Sequence, residues 1–194
     1  MTDPAADAAD YLRADDLLGP HVDQHGVLRL EPVDDLFERL VVAILRQQVS
    51  MASAAATQER LFDAVTVTPR GILASDEATL KGAGLSRQKT RYVTEIARAF
   101  VDQGYTKEYF AYASNDEIVD ALTEITGVGP WTARMQLMFT FGRPDVFPVE
   151  DLGIRKSMET LFTAEMTWGE MRERAERWAP YRSYASLYLW RIND

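Results

Sequence analysis

The strongest limit on the fold of this chain is how often its helices must start and stop. VDDLFERLVVAILRQQ, residues 33 to 48, places Leu36, Phe37, Leu40, Val41, Ile44 and Leu45 at helical spacing behind an acidic start. Ser50 is a cap for the alanine-rich MASAAATQERLFDAV, whose small side chains allow close helix approach. Thr68-Pro69 opens a short helix, and Ser75 opens another that ends in the glycines of KGAG. Ser86 caps RQKTRYVTEIARAF, which stops near Gly104, and Ser114 caps NDEIVDALTEI. Thr167 caps WGEMRERAERWA, stopped near Pro180, before SYASLYLWRI closes the chain. VLRLEP, residues 27 to 32, is the one strand-like piece, and it is too short to build a sheet. The expectation is an all-α protein of about ten helices with short loops.

With 194 residues, 46% of them hydrophobic, the chain can bury one large core or two small lobes. It has no cysteine, which excludes disulfides, thiolate metal sites and iron–sulfur ligation. No apolar run is long enough for a membrane span, and no signal-peptide order opens the chain, so a cytoplasmic protein is expected. MTDPAADAAD, residues 1 to 10, is small and acidic, and a disordered tail is expected there. The net charge is -9, with Lys only at 81, 89, 107 and 156. An acidic chain argues against nucleic acid. The same balance also suits a surface in high intracellular salt, where screening is strong and phosphate contacts lean on directed backbone N–H groups.

LTEITGVGPWTARMQ, residues 122 to 136, joins a helix end to a helix start through Gly127, Val128 and Gly129. The glycines turn the chain tightly and leave N–H groups of the second helix uncovered, a ready phosphate site. By itself the pattern more often marks a plain interhelical loop. Its context resembles the helix–hairpin–helix motif, with Leu122, Gly127, Val128, Gly129, Thr132 and Ala133 at the signature positions and Thr126 where that family often has Pro. The resemblance implies DNA-backbone contacts at Gly127, Val128, Gly129, Thr132 and Ala133. It also implies a monovalent cation, Na+ or K+, on the backbone carbonyls of Thr123, Ile125 and Val128.

Further on, DVFPVEDLGIRK, residues 145 to 156, carries the acidic pair Glu150-Asp151 at a loop-to-helix junction. A helix cap explains such a pair without any chemistry. The order hairpin, helix, Pro-containing loop and Asp is that of the helix–hairpin–helix DNA glycosylases, in which the residue matching Asp151 projects into a cleft between two helical lobes. Residues 32 to 56 and 176 to 190 resemble the 3-methyladenine glycosylase II branch, without its N-terminal α/β domain; the likeness covers roughly residues 12 to 192. The implied architecture is a terminal lobe of 11–35 plus 144–194 and a central lobe of 36–143, ending in the hairpin motif over 115–141.

The resemblance assigns further roles. Gln47, Gln48 and Ser50 belong to a turn that reaches the DNA minor groove, with Gln48 filling the gap left by an extruded base; a surface-loop Gln is the plainer alternative. Trp131, Met135 and Trp190 line a base pocket, and Tyr188 is placed with them. Core packing is the usual fate of such residues, and Met135 departs from the aromatic expected there. Indole faces attract a cationic alkylated purine and stack on an extruded base. Strand-cutting relatives carry a Schiff-base Lys where this chain has Trp131, so a monofunctional enzyme is implied, acting as a monomer on duplex DNA with no required cofactor. Deaminated or oxidised bases are alternative substrates, and a non-catalytic module for damaged DNA or an acidic protein-binding scaffold are alternatives of other classes. His21 and His25 are expected in a loop rather than as metal ligands on a helix, and MRERAER, residues 171 to 177, as a solvated face.

Overall fold

The caps read from the sequence close the helices expected of them. In the computed structural model, which describes residues 3–193, Ser50 accepts from the Ser53 N–H, Ser86 from the Lys89 N–H, and Ser114 and Thr167 form capping boxes with Glu117 and Glu170. The described residues form twelve α-helices and no strand: α1 (Pro4–Arg13), α2 (Gly19–His25), α3 (Leu36–Arg46), α4 (Met51–Ala64), α5 (Pro69–Ala74), α6 (Glu77–Gly82), α7 (Arg87–Gln103), α8 (Asn115–Thr123), α9 (Pro130–Phe139), α10 (Leu152–Phe162), α11 (Trp168–Ala175) and α12 (Arg182–Leu189), with a 3-10 turn at Glu176–Trp178.

The chain divides into two compact units. The central one is Val33–Gln136; the terminal one joins the chain up to Pro32 with the chain from Leu137 onward, so the division falls inside α9. The sequence placed these boundaries at 35/36 and 143/144, the second of them past the end of α9. In the central unit α7 is the organising helix, packed against α3, α5 and α6. Its inner face buries Val93, Ile96, Ala97 and Phe100, and α3 buries Leu40, Val41, Ile44 and Leu45. In the terminal unit α12 has that place, packed against α1, α2 and α10. Leu12, Val22, Ile154, Met158, Trp178 and Leu189 share its core.

Three local expectations are corrected. Met1 and Thr2 lie outside the described residues, but from Pro4 the expected tail is helix α1, capped by Asp3 and burying Ala5, Ala8, Ala9 and Leu12. Arg29 grips Asp3 through two bonds of 2.7 and 2.6 Å, and this guanidinium lowers the Asp3 carboxyl to about 2. The small alanines that suggested fraying are what let α1 pack closely against α2 and α12. His21 and His25 lie on α2, not in a loop: Pro20 sits in the first turn, where its missing N–H costs nothing. Burial lowers the His21 pKa, with the His25 charge adding to it. No group of three or more His, Cys, Asp or Glu among the described residues is arranged to hold a metal. Ser75 closes α5 instead of opening α6, because Asp76 accepts from the Thr79 N–H at 2.7 Å and is the true cap. Among the described residues no helix is long and apolar enough to cross a membrane.

Candidate functional site

The hairpin between α8 and α9 is built by a short relay of backbone bonds. The Ile125 N–H donates to Leu122 O at 3.2 Å, the Val128 N–H to Ile125 O at 3.0 Å, and the Ala133 N–H to Gly129 O at 3.0 Å. Ile125 and Val128 bury their side chains and anchor the loop. The two glycines are there for different reasons. Gly127 has φ +100°, and a Cβ on it would stand 2.4 Å from Cγ of Tyr92, so the fold itself requires glycine. At Gly129 a Cβ would meet nothing within 4 Å, so nothing inside the protein excludes a side chain. Ala133 is the first residue of α9 whose N–H returns to the helix start, and the N–H groups ahead of it stand at the positive end of the helix dipole. Thr132 and Ala133, expected at the DNA, are 3% and 0% exposed; their side chains pack inward, and Ala133 has spent its N–H within the helix. Val128 likewise offers only backbone.

The turn at residues 47 to 50 separates its three assigned residues. Gln48 is exposed in the left-handed region at φ 56°, which is unusual for a side-chain-bearing residue, and Val49 and Met51 beside it are exposed apolar groups. Ser50 is exposed and caps α4. Gln47 instead turns back: its Nε2 donates to Gly127 O of the hairpin at 3.2 Å. The Gln47 amide N–H is thus engaged by the hairpin within the protein.

In the terminal unit Asp151 is the N-cap of α10. Its Oδ1 accepts from the Ile154 N–H at 2.9 Å and from the Trp190 indole N–H at 2.9 Å. Gly153 leaves room for this arrangement: a Cβ there would stand 3.0 Å from Oδ1 and 3.1 Å from Cδ1 of Trp190, a close approach. The indole stacks on Phe139, with centroids 6.0 Å apart and planes at 28°. The loop leading to Asp151 is fixed to the start of α12. Arg182 holds Asp145 by two bonds of 2.7 and 2.8 Å, the Ser183 hydroxyl donates to Arg143 O at 2.7 Å, and the Val146 N–H donates to that hydroxyl at 2.9 Å. The start of α12 and the residue that caps its end thus position both ends of the segment from 143 to 151. Asp145, Arg182, Ser183, Phe139 and Gly153 carried no sequence signal, because their partners lie tens of residues away.

The aromatic assignments divide. Trp131 is 40% exposed at the start of α9, while Met135, one turn on, is buried. Trp190 is half-buried and serves the carboxylate through its N–H. Tyr188 is 1% exposed in the terminal core, its hydroxyl donating to Gly26 O at 2.8 Å and accepting from the Leu28 N–H at 3.4 Å. It is a structural tie for the segment after α2 and not a pocket wall; burial pushes its phenol pKa up.

The site features of this all-helical chain are thus a glycine hairpin between two helices and a carboxylate held at a helix cap by an indole. The profile of the HhH-GPD superfamily base excision DNA repair proteins matches residues 41–181, and the chain belongs to that family. It is 31% identical over 185 residues to DNA-3-methyladenine glycosylase 1 of Schizosaccharomyces pombe, covering 91% of this chain and 79% of that one. It is 31% identical over 175 residues to DNA-3-methyladenine glycosylase 2 of Escherichia coli, covering 84% and 60%. The structure of the S. pombe 3-methyladenine DNA glycosylase in complex with abasic DNA superimposes with a TM-score of 0.83 at 30% identity, over 95% of each chain. The chain spans 58 to 79% of the length of the first curated relatives it matches.

Proposed function

We propose that this protein is a monofunctional DNA glycosylase that hydrolyses the N-glycosidic bond of alkylated purines in duplex DNA, leaving an abasic site for base excision repair. The observation that carries this reading is the Asp151 carboxylate, fixed by two N–H donors on one oxygen at the head of α10. Cleavage of the glycosidic bond builds positive charge on the sugar. A carboxylate held in place stabilises that charge, or orients and deprotonates the attacking water, without reorganising during the reaction. Alkylation at N3 or N7 already makes the base a good leaving group, so the site needs no strong general acid. The relatives named for 3-methyladenine support this substrate class, and weaker pairing of a damaged base eases its extrusion.

The hairpin supplies the grip on DNA. Gly129 leaves open space in front of the α9 N-terminus, which suits a phosphate approaching the backbone closely. The exposed Trp131 gives an indole face for a cationic purine. It also stands where strand-cutting relatives need a Lys, which supports hydrolysis without strand cleavage. Oxygen donors suit an alkali cation, and the 3.0 Å bond from Val128 to Ile125 ties two of the three proposed carbonyl ligands, Thr123, Ile125 and Val128, into one turn. A Na+ or K+ there would add positive charge beside the phosphate. No other cofactor is required, and this chain has no cysteine for an iron–sulfur cluster. The protein acts as a monomer in the cytoplasm.

The test is release of 3-methyladenine and 7-methylguanine from methylated duplex DNA across a salt series, with wild type and Asp151→Asn. Base release by wild type alone, with strand breaks appearing only after alkali, is the expected result. No release at any salt, with duplex binding intact in both proteins, would overturn the alkylpurine reading.

A further inference from the structure

The hairpin that the proposed function brings to DNA and the turn at 47 to 50, which the family resemblance places in the minor groove, are tied together within the central unit. Leu45 lies in the last turn of α3, just before the turn at 47 to 50. Its carbonyl accepts from Lys89 Nζ of α7 at 2.7 Å, and burial of that amine lowers its pKa. One turn along α7, the Tyr92 ring packs against Gly127, and Gln88 Nε2 holds the Tyr92 hydroxyl at 2.7 Å. Helix α7 therefore fixes the turn through Lys89 and the hairpin through Tyr92. The Gln47 amide closes the third side at Gly127 O.

That third bond falls on a sensitive peptide. The Gly127 carbonyl and the Val128 N–H belong to one peptide plane, and the N–H is already bonded to Ile125 O. Gln47 thus clamps the plane at its other end. Glycine at φ +100° has more backbone wells open to it than any other residue, so an unclamped plane here can rotate. Beyond Gln47 the chain turns left-handed at Gln48, and this exposes Gln48 and Val49 at the tip.

We propose that Gln47 is a positioning residue, a latch that couples phosphate capture by the hairpin to insertion of the Gln48 tip into the duplex. This rests on the DNA-glycosylase reading above. The latch fixes the distance between the two loops before DNA arrives, so that a phosphate seated at α9 sets where the tip enters. It acts on base extrusion and not on initial affinity, because the Gln47 amide is bonded within the protein.

Two measurements test it. In the DNA-free protein, amide hydrogen exchange at Val128 rises up to about tenfold in Gln47→Ala and in the isosteric Gln47→Glu, whose ionised carboxylate cannot donate, but not in Gln48→Ala. With duplex DNA carrying 2-aminopurine beside the lesion, Gln47→Ala loses most of the fluorescence rise on extrusion, and its single-turnover rate falls while its affinity for undamaged duplex stays within about threefold of wild type. Unchanged exchange at Val128 would overturn the latch, and affinity for undamaged duplex falling in step with the rate would overturn it by making Gln47 a direct DNA contact. If wild type released no alkylated purine, the glycosylase reading would fail. The exchange and duplex-binding results would still decide the latch.

Discussion

The hairpin of the central unit and the Asp151 loop of the terminal unit are both loop-to-helix junctions, and they work in opposite ways. At the hairpin the proposed function uses backbone groups, and the side chains of Ile125, Val128, Thr132 and Ala133 turn inward and hold that backbone in place. What faces outward at Gly129 is an absence. At Asp151 the group held in place is one carboxylate, fixed by the Ile154 N–H of α10 and the Trp190 indole just past α12. A surface that must accept any DNA sequence gains from presenting backbone, which carries no side-chain preference. A bond-breaking site needs one charge fixed at one point, which a side chain supplies.

The comparison is tested most severely at Asp151. Asn caps a helix about as well as Asp, so Asp151→Asn should fold normally and bind DNA, while base release falls roughly 10²- to 10⁴-fold. A small loss in a single-turnover assay would remove Asp151 from the chemistry. Next in size is Gly127→Ala, which forces a side chain into left-handed backbone and into the Tyr92 ring. It should cost about 2 kcal/mol or more and lower the thermal midpoint by several degrees. Unchanged unfolding would show that the hairpin is not fixed as described. Trp190→Phe keeps the stack on Phe139 and removes one hydrogen bond to the carboxylate, a bond worth about 1.5–3 kcal/mol. Its rate should fall about 10- to 100-fold with duplex affinity unchanged, and a matching loss of affinity would instead make Trp190 a DNA contact. The smallest effect is expected at Gly129→Ala. It should unfold as wild type does yet bind undamaged duplex several-fold more weakly, read by fluorescence anisotropy, because the methyl occupies the space left for phosphate.

Much of the fold was legible because its signals are local. Ser50, Ser86, Ser114 and Thr167 cap helices with atoms three residues away, so a short window of sequence contains the whole interaction. The hairpin motif was legible for the same reason, and the comparisons agree with the family it implied. The misreadings came where packing overruled composition. The alanines of α1 carry no local sign of burial, because their burial depends on α2 and α12. Tyr188 and Trp190 stand two residues apart, about half a turn, and the structure gives them different surroundings: Tyr188 ties Gly26, while Trp190, just past the end of α12, meets Asp151.

By itself, the sequence determined the all-helical class, the two glycines of the hairpin and the capping carboxylate, since each follows from backbone geometry within a few residues. Only the tertiary structure decided what those parts do for one another. Gln47 reaches Gly127 across 80 residues and Trp190 reaches Asp151 across 39, contacts that no local spacing encodes. The physical reason is that a hydrogen bond is fixed by where two atoms meet, and distant segments meet only after the helices between them have buried their apolar faces.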